Sequence, residues 1–98
     1  MVTEHVVLPV RPGAEEAFEA AFAQAIPLIA ETPGFISLQL QRSIESPSSY
    51  LLLVEWHDVE DHTEVFRGSL NYERWRDLLH RFYDPVPEVE HFELVASV

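Results

Sequence analysis

Two strand-like runs separated by a short turn lie in the middle of the chain, and they restrict its possible folds more than any other stretch. Apolar and polar residues alternate over Phe35–Ile44, which predicts a half-buried strand. Residues 46–49 are typical of a turn, and Tyr50–Trp56 is almost continuously apolar, as in a central strand buried on both faces. The segment therefore predicts a β-hairpin. The residues expected on the buried face of its first strand are Ile36, Leu38, Leu40 and Ile44.

The N-terminal third predicts a strand followed by a helix. Thr3–Val10 is rich in β-branched residues, and Pro9 is expected at a strand end or sheet edge because it lacks an N–H donor. After a turn at residues 11–13, apolar residues recur at helical spacing. These residues are Phe18, Phe22, Ile26 and Ile29. Pro27 interrupts the pattern, which predicts a kink or a tightened last turn between Ala23 and Pro27.

The C-terminal part predicts a helix in two pieces and a final strand. Asp58 is suited to cap a short helix that Gly68 ends, and Ser69 is suited to cap the helix that follows. The apolar stripe of the second piece consists of Tyr72, Trp75, Leu79 and Phe82. After the proline-containing residues 84–87, Glu88–Val98 alternates again and predicts the last strand.

The resulting order, β-α-β-β-α-β, is that of a ferredoxin-like α+β sandwich, here with a split second helix. A chain of 98 residues is expected to form a single domain, residues 1–98. Helices cover one face of such a sheet, yet the third strand has leucines on both faces, with Leu51 and Leu53 opposite Leu52. We therefore expect a homodimer, a dimeric α/β barrel in which the two sheets pack face to face.

The balance of charged residues excludes several classes of partner. Seventeen acidic residues against six basic ones, all of them Arg, give a net charge of −11. This argues against a nucleic-acid binder, which needs a dense cationic face, and against docking on an anionic membrane. The chain has no Cys and no His pair at helical spacing, so no metal site is predicted. The start of the chain lacks the features of a signal peptide, which predicts a cytoplasmic location.

Aromatic residues near the end of the third strand predict a cleft between sheet and helices. Trp56 ends the strand, and the residues that follow supply one imidazole, His62, and one guanidinium, Arg67. The aromatic walls would be Phe66, Tyr72 and Trp75. His91 could reach this cleft from the last strand, or face the dimer interface instead. A mostly apolar pocket with a few polar groups is typical of small-molecule sites and suits a flat aromatic ligand. The alternative is that these residues are ordinary core, because aromatic stripes at helical spacing more often pack than bind.

Several of these segments resemble the antibiotic biosynthesis monooxygenase family of small dimeric α+β barrel proteins. The resemblance rests on residues 33–35, the run Tyr50–Trp56, His62, residues 66–69 and residues 89–92. It spans nearly the whole chain, and the Glu-Trp pair that ends the hairpin is its most specific element. The resemblance implies the fold already predicted from the pattern, including dimerisation through the sheets.

The resemblance also implies an activity. Cofactor-independent members oxidise phenols, quinols or anthrones with molecular oxygen as co-substrate. By this analogy His62 would be the base, with a near-neutral intrinsic pKa, and Arg67 would stabilise the substrate anion. The pocket walls would be Trp56, Phe66, Tyr72, Trp75 and His91. Two alternatives stay open: a non-catalytic binding or accessory protein of the same fold, and a haem or metal binder that uses His62, His80 or His91.

Overall fold

The computed structural model describes residues 1–98 and has the element order that the sequence predicts. The strands are β1 (Val2–Pro9), β2 (Phe35–Arg42), β3 (Ser49–Trp56) and β4 (Val89–Phe92). The helices are α1 (Glu15–Ala30), a π-helical segment (Asp61–Phe66), α2 (Leu70–Leu79) and a 3₁₀ turn (His80–Phe82). No helix is long and apolar enough to cross a membrane.

The four strands form one antiparallel sheet in the order β2-β3-β1-β4. β1 and β3 are the central strands, with Val6 opposite Leu52, and β4 pairs only with β1. Pro9 ends β1, as predicted, so its missing N–H interrupts no pairing inside the sheet. This topology, with α1 and α2 on one face, confirms the ferredoxin-like α+β fold.

The sheet is buried on one face only. On β3 the side chains of Tyr50, Leu52, Val54 and Trp56 are buried against the helices, whereas Leu51 and Leu53 are half-buried on the outer face. The prediction that β3 is buried on both faces is therefore wrong for the single chain. Leucines on both faces of a strand do not show which face another element covers, and α1 and α2 cover only the inner one.

Helix α1 continues through Pro27, and its tightened turn comes later than predicted. Thr32 N–H donates to the Ile29 carbonyl three residues back, just beyond the helix end. Pro27 and Ala23 are both exposed, so the carbonyl that loses its helical donor can bind water. Ile26 is also exposed and does not belong to the core stripe. The small residue Ala25 takes a buried position instead.

Two strand predictions fail at their ends. In β2 a bulge between Phe35 and Ser37 turns Ile36 outward, and Ile44 lies beyond the strand and is exposed. The last strand stops at Phe92, and residues 93–98 are exposed without regular structure. The reason is the length of β1: Phe92 pairs with Thr3, and β1 begins only one residue earlier.

The predicted short helix after β3 is mainly a π-helix. Its widened turn is marked by the Arg67 N–H, which donates to the His62 carbonyl five residues back. Asp58 directly precedes the first helical residue, Val59, as predicted, but its side chain makes no capping hydrogen bond; the Asp61 carboxylate instead accepts from the Asp58 N–H at 3.0 Å. The prediction for Ser69 is confirmed, because its Oγ accepts from the Tyr72 N–H at the start of α2.

Candidate functional site

A cavity of about 180 Å³ lies between the inner face of the sheet and the helices. It brings together five of the residues that the sequence singled out: His62, Phe66, Arg67, Tyr72 and Trp75. Trp56 and His91 do not line it, but each contacts a residue that does. His80 is exposed and contributes to the cavity wall together with Tyr83.

The central polar group of this cavity is Glu4, which the sequence analysis did not single out. Its side chain is 6% exposed, and its Oε1 accepts a hydrogen bond from Trp56 Nε1 at 3.1 Å. The same oxygen lies 3.5 Å from Nε2 of His62. The signal was present in the sequence, because strand alternation places residue 4 on the same face as Val6 and Leu8.

His62 is held between aromatic rings at the start of the π-helical segment. Its ring stacks on Trp56 with centroids 5.5 Å apart and an angle of 21°, and Phe66 lies on the same side of the helix. Its Nδ1 lies 2.8 Å from Nε2 of His91. The imidazole is 4% exposed, so its environment and not bulk water sets its protonation.

Burial moves the pKa values of Glu4 and His62 in opposite directions. It raises the pKa of Glu4 from 4.5 to about 7, although the Trp56 hydrogen bond and the Arg67 charge oppose that shift. Burial, with the nearby Arg67 and His91, lowers the pKa of His62 from 6.5 to about 3. At neutral pH the imidazole is therefore uncharged, and its contact with Glu4 is not an ion pair. Burial thus moves the pKa of His62 away from the near-neutral intrinsic value of an imidazole, and Glu4 is the group whose pKa lies near neutral.

His91 reaches this cluster from β4, where it stands directly opposite Glu4 on β1. Both side chains project from the inner face, which answers the question that the sequence left open about His91. Burial and the Arg67 charge also lower the pKa of His91. His5, by contrast, lies on the outer face, edge-on to Phe92 with ring centroids 5.3 Å apart.

The remaining residues form the cation and the apolar walls. Arg67 follows the π-helical segment, is exposed, and takes part in none of the ion pairs of the chain. Phe66 makes edge-to-face contacts with Tyr72 at 5.4 Å and Trp75 at 5.8 Å. Trp75 also packs against Phe22 of α1, so it is both core and cavity wall. The structure contains no group of three His, Cys, Asp or Glu side chains arranged to hold a metal ion.

Comparisons with known proteins agree with this architecture. Residues 1–78 match the family model described as antibiotic biosynthesis monooxygenase. The chain is 52% identical over 93 residues to the uncharacterized protein YczJ of Bacillus subtilis (strain 168), a match that covers 95% of this chain and 98% of that protein.

Solved structures extend the comparison. A candidate antibiotic biosynthesis monooxygenase from Bordetella bronchiseptica superposes with a TM-score of 0.93 at 38% identity, over 97% of each chain. SnoaB from Streptomyces nogalater, described as a cofactor-independent oxygenase, superposes with a TM-score of 0.86 over 99% of this chain and 95% of its own. At 23% identity, the likeness to SnoaB shows the fold alone.

Proposed function

The chain belongs to the antibiotic biosynthesis monooxygenase family, and from this premise we propose that it oxidises a small aromatic substrate with molecular oxygen and no bound cofactor. The observation that carries the proposal is the cavity between sheet and helices. It combines aromatic walls with a carboxyl group whose pKa is near neutral and a guanidinium without an ion-pair partner. The apolar walls exclude water. The carboxyl group can accept a proton, and the guanidinium can face an anion.

The chemistry needs only the substrate, oxygen and these side chains. Loss of the proton from a phenol or quinol O–H leaves an electron-rich anion, which can pass electrons to oxygen directly. One oxygen atom enters the product and the other leaves as water, so the substrate supplies all the electrons. The protein binds the ring, takes up the proton and keeps the reactive anion from bulk water.

Each residue of the site has a place in this proposal. Arg67 lies at the exposed end of the cavity and faces the substrate oxygen, where its charge stabilises the anion. His62 forms the polar end beside Glu4, and Phe66, Tyr72 and Trp75 contact the ring. Trp56 and His91 hold the polar end in place: Trp56 is hydrogen-bonded to Glu4, and His91 is hydrogen-bonded to His62.

The size of the cavity favours a small substrate. Its volume, about 180 Å³, is below the roughly 300–1,000 Å³ typical of sites for drug-sized ligands. A phenol or quinol of one or two rings is therefore preferred over a three-ring anthrone.

We further propose that the chain forms one domain over residues 1–98 and acts as a homodimer. The outer face of the sheet has no covering element in the single chain, and it carries Val7, Leu51, Leu53 and Phe92. A second copy packed on this face would remove these side chains from water.

Oxygen consumption tests the proposed activity directly. Purified protein, treated with chelator and free of added flavin, is mixed with a panel of mono- and bicyclic phenols and quinols. We expect uptake above the rate of spontaneous autoxidation, measured with heat-denatured protein as control. Stabilisation of the fold by a phenol without oxygen uptake would indicate a binding protein instead. A Soret band on haem addition would support the haem-binding alternative.

A further inference from the structure

We propose that Glu4 is the residue that accepts the substrate's proton, and that His62 and His91 are positioning residues for it. This inference rests on the proposed function and deepens it, because it replaces the imidazole assigned as base by a carboxyl group.

The polar atoms of His62 and Glu4 differ in the protein groups that they contact. Both ring nitrogens of His62 already face protein groups: Nδ1 lies 2.8 Å from His91 and Nε2 lies 3.5 Å from Glu4. A base needs a lone pair that points at the substrate; Nδ1 of His62 is engaged by His91, and Nε2 stands beside a carboxyl oxygen of Glu4 at a distance too long for a hydrogen bond. The orientation of His62 is therefore suited to a supporting role.

The carboxyl group of Glu4 has an oxygen that neither Trp56 nor His62 engages. Its Oε1 takes the contacts with Trp56 and His62, whereas Oε2 has no hydrogen-bond partner within the chain. No buried side-chain oxygen or nitrogen is left unsatisfied, so Oε2 is not sealed inside the protein. Glu4 lines the cavity, and Oε2 is the oxygen that can meet a substrate hydroxyl there.

The His62–His91 pair can hold His62 in the tautomer that suits Glu4. When His91 donates to Nδ1 of His62, the proton of His62 is on Nε2 and faces Oε1 of Glu4. This tautomer suits the carboxylate, and it also suits the acid protonated on Oε2, because Oε1 then remains an acceptor. Oε2 is thus the oxygen that can change its protonation.

The proton transfer leaves the charge of the buried site unchanged. The substrate O–H bond breaks, a new O–H bond forms at Oε2, and the electron pair stays on the substrate oxygen, which faces Arg67. The carboxylate becomes neutral as the substrate becomes an anion, so the two negative charges never coexist. The overall oxidation releases no net proton, so Glu4 returns the proton to reduced oxygen as water leaves.

Proton uptake on binding tests this assignment independently of turnover. The probe is 4-nitrophenol, whose anion absorbs in the visible range, added at about pH 8.5, where both Glu4 and the probe are ionised in the absence of each other. Binding of the anion beside Glu4 forces the carboxyl to take up a proton from the buffer. Calorimetry in two buffers of different ionisation enthalpy measures that uptake.

We expect about one proton taken up by the wild-type protein and by the control Glu16→Gln, which alters an exposed carboxyl on α1. Glu4→Gln should bind the anion with uptake near zero, since its amide still accepts from Trp56 Nε1 but cannot be protonated. Uptake near zero in the wild-type protein, or unchanged uptake in Glu4→Gln, would overturn the role of Glu4. Wild-type protein that binds no phenol at all would overturn the proposed function itself.

Turnover gives a second readout. Glu4→Gln should lower kcat by about 100-fold or more at unchanged affinity for the phenol. His91→Gln should retain turnover but shift the part of the pH–rate profile that lies near neutral pH. Such a shift is expected if His91 acts on Glu4 through His62. Loss of activity in His62→Gln together with full activity in Glu4→Gln would return the role of base to His62.

Discussion

Glu4 stands directly opposite His91 in the antiparallel pairing of β1 and β4, and His62 bridges the two from the π-helical segment. Three elements distant in the sequence thereby contribute one polar cluster at the end of the cavity. The strand register sets the first pair, and the widened helical turn delivers the third member.

Replacing Glu4 by Gln should make the protein relatively more stable as pH rises. Burial raises the pKa of Glu4 from 4.5 to about 7, so between these values the unfolded chain ionises while the folded one stays protonated. Stability that is present at pH 4.5 is lost by pH 7, by up to about 3 kcal/mol. Urea unfolding should show that the stability of Glu4→Gln relative to wild type increases as the pH rises through this range. A constant difference would contradict the raised pKa.

His62→Gln should show the opposite dependence. Burial lowers the pKa of His62 from 6.5 to about 3. Below pH 6.5 the unfolded chain therefore gains a proton at His62, whereas the imidazole of the folded chain stays neutral. Wild-type stability should fall with acid at about 1.4 kcal/mol per pH unit from this group, and the variant should lack that loss. Between pH 4.5 and 6.5 the opposing effect of Glu4 masks it in wild type, so the comparison needs the variant. Parallel stability curves for the two proteins would count against a buried neutral imidazole.

Arg67→Met should weaken turnover and move its pH dependence. The Arg67 charge lowers the pKa of Glu4, so its removal should shift the neutral limb of the pH–rate profile upward. Loss of the cation facing the substrate anion should also reduce kcat about 10²-fold. Arg74→Met, at an exposed position of α2, is the matched control. If the two variants had equal kinetics, Arg67 would have no role in the proposed activity.

Gly34→Ala should destabilise the fold more than Gly13→Ala does. Both glycines have positive φ, 89° and 91°, so each substitution carries backbone strain of about 1 kcal/mol. A Cβ on Gly34 would also clash with the Asp61 carboxylate, whereas one on Gly13 meets nothing within 4 Å. Chemical unfolding should therefore show a larger loss for Gly34→Ala. Adding Asp61→Ala should remove part of the difference, and equal losses for the two alanine variants would speak against the contact.

Leu53→Glu should give a monomer if the outer face joins two copies. Leu53 is half-buried in the middle of that face, opposite His5, and a carboxylate there would oppose the burial of a partner sheet. Light scattering at micromolar concentration should give the mass of a dimer for wild type and for the control Leu70→Glu, which alters an exposed helix position. A monomeric wild type would refute the proposed dimer.

Alternation and helical spacing were enough to predict the element order, the split second helix and most of the core. They work because each element must bury one face, and the period of apolar residues shows which. The errors at Ile26, Ile36 and Ile44 have a common cause: an apolar residue at the right spacing was assigned to the core. A bulge turns Ile36 outward, Ile44 lies beyond the strand end, and the small Ala25 takes the buried position in place of Ile26. These features depend on contacts between elements.

The sequence by itself determined the aromatic character of the cavity and five of the side chains that line it, because these follow from the spacing within a single helical region. Only the tertiary structure decided their chemistry. The proton affinities of Glu4 and His62 depend on how completely each is removed from water and on which charges lie nearby. That environment is assembled from β1, β3, β4 and the π-helical segment. The residue pattern of any one of these elements does not show how the other three pack around it.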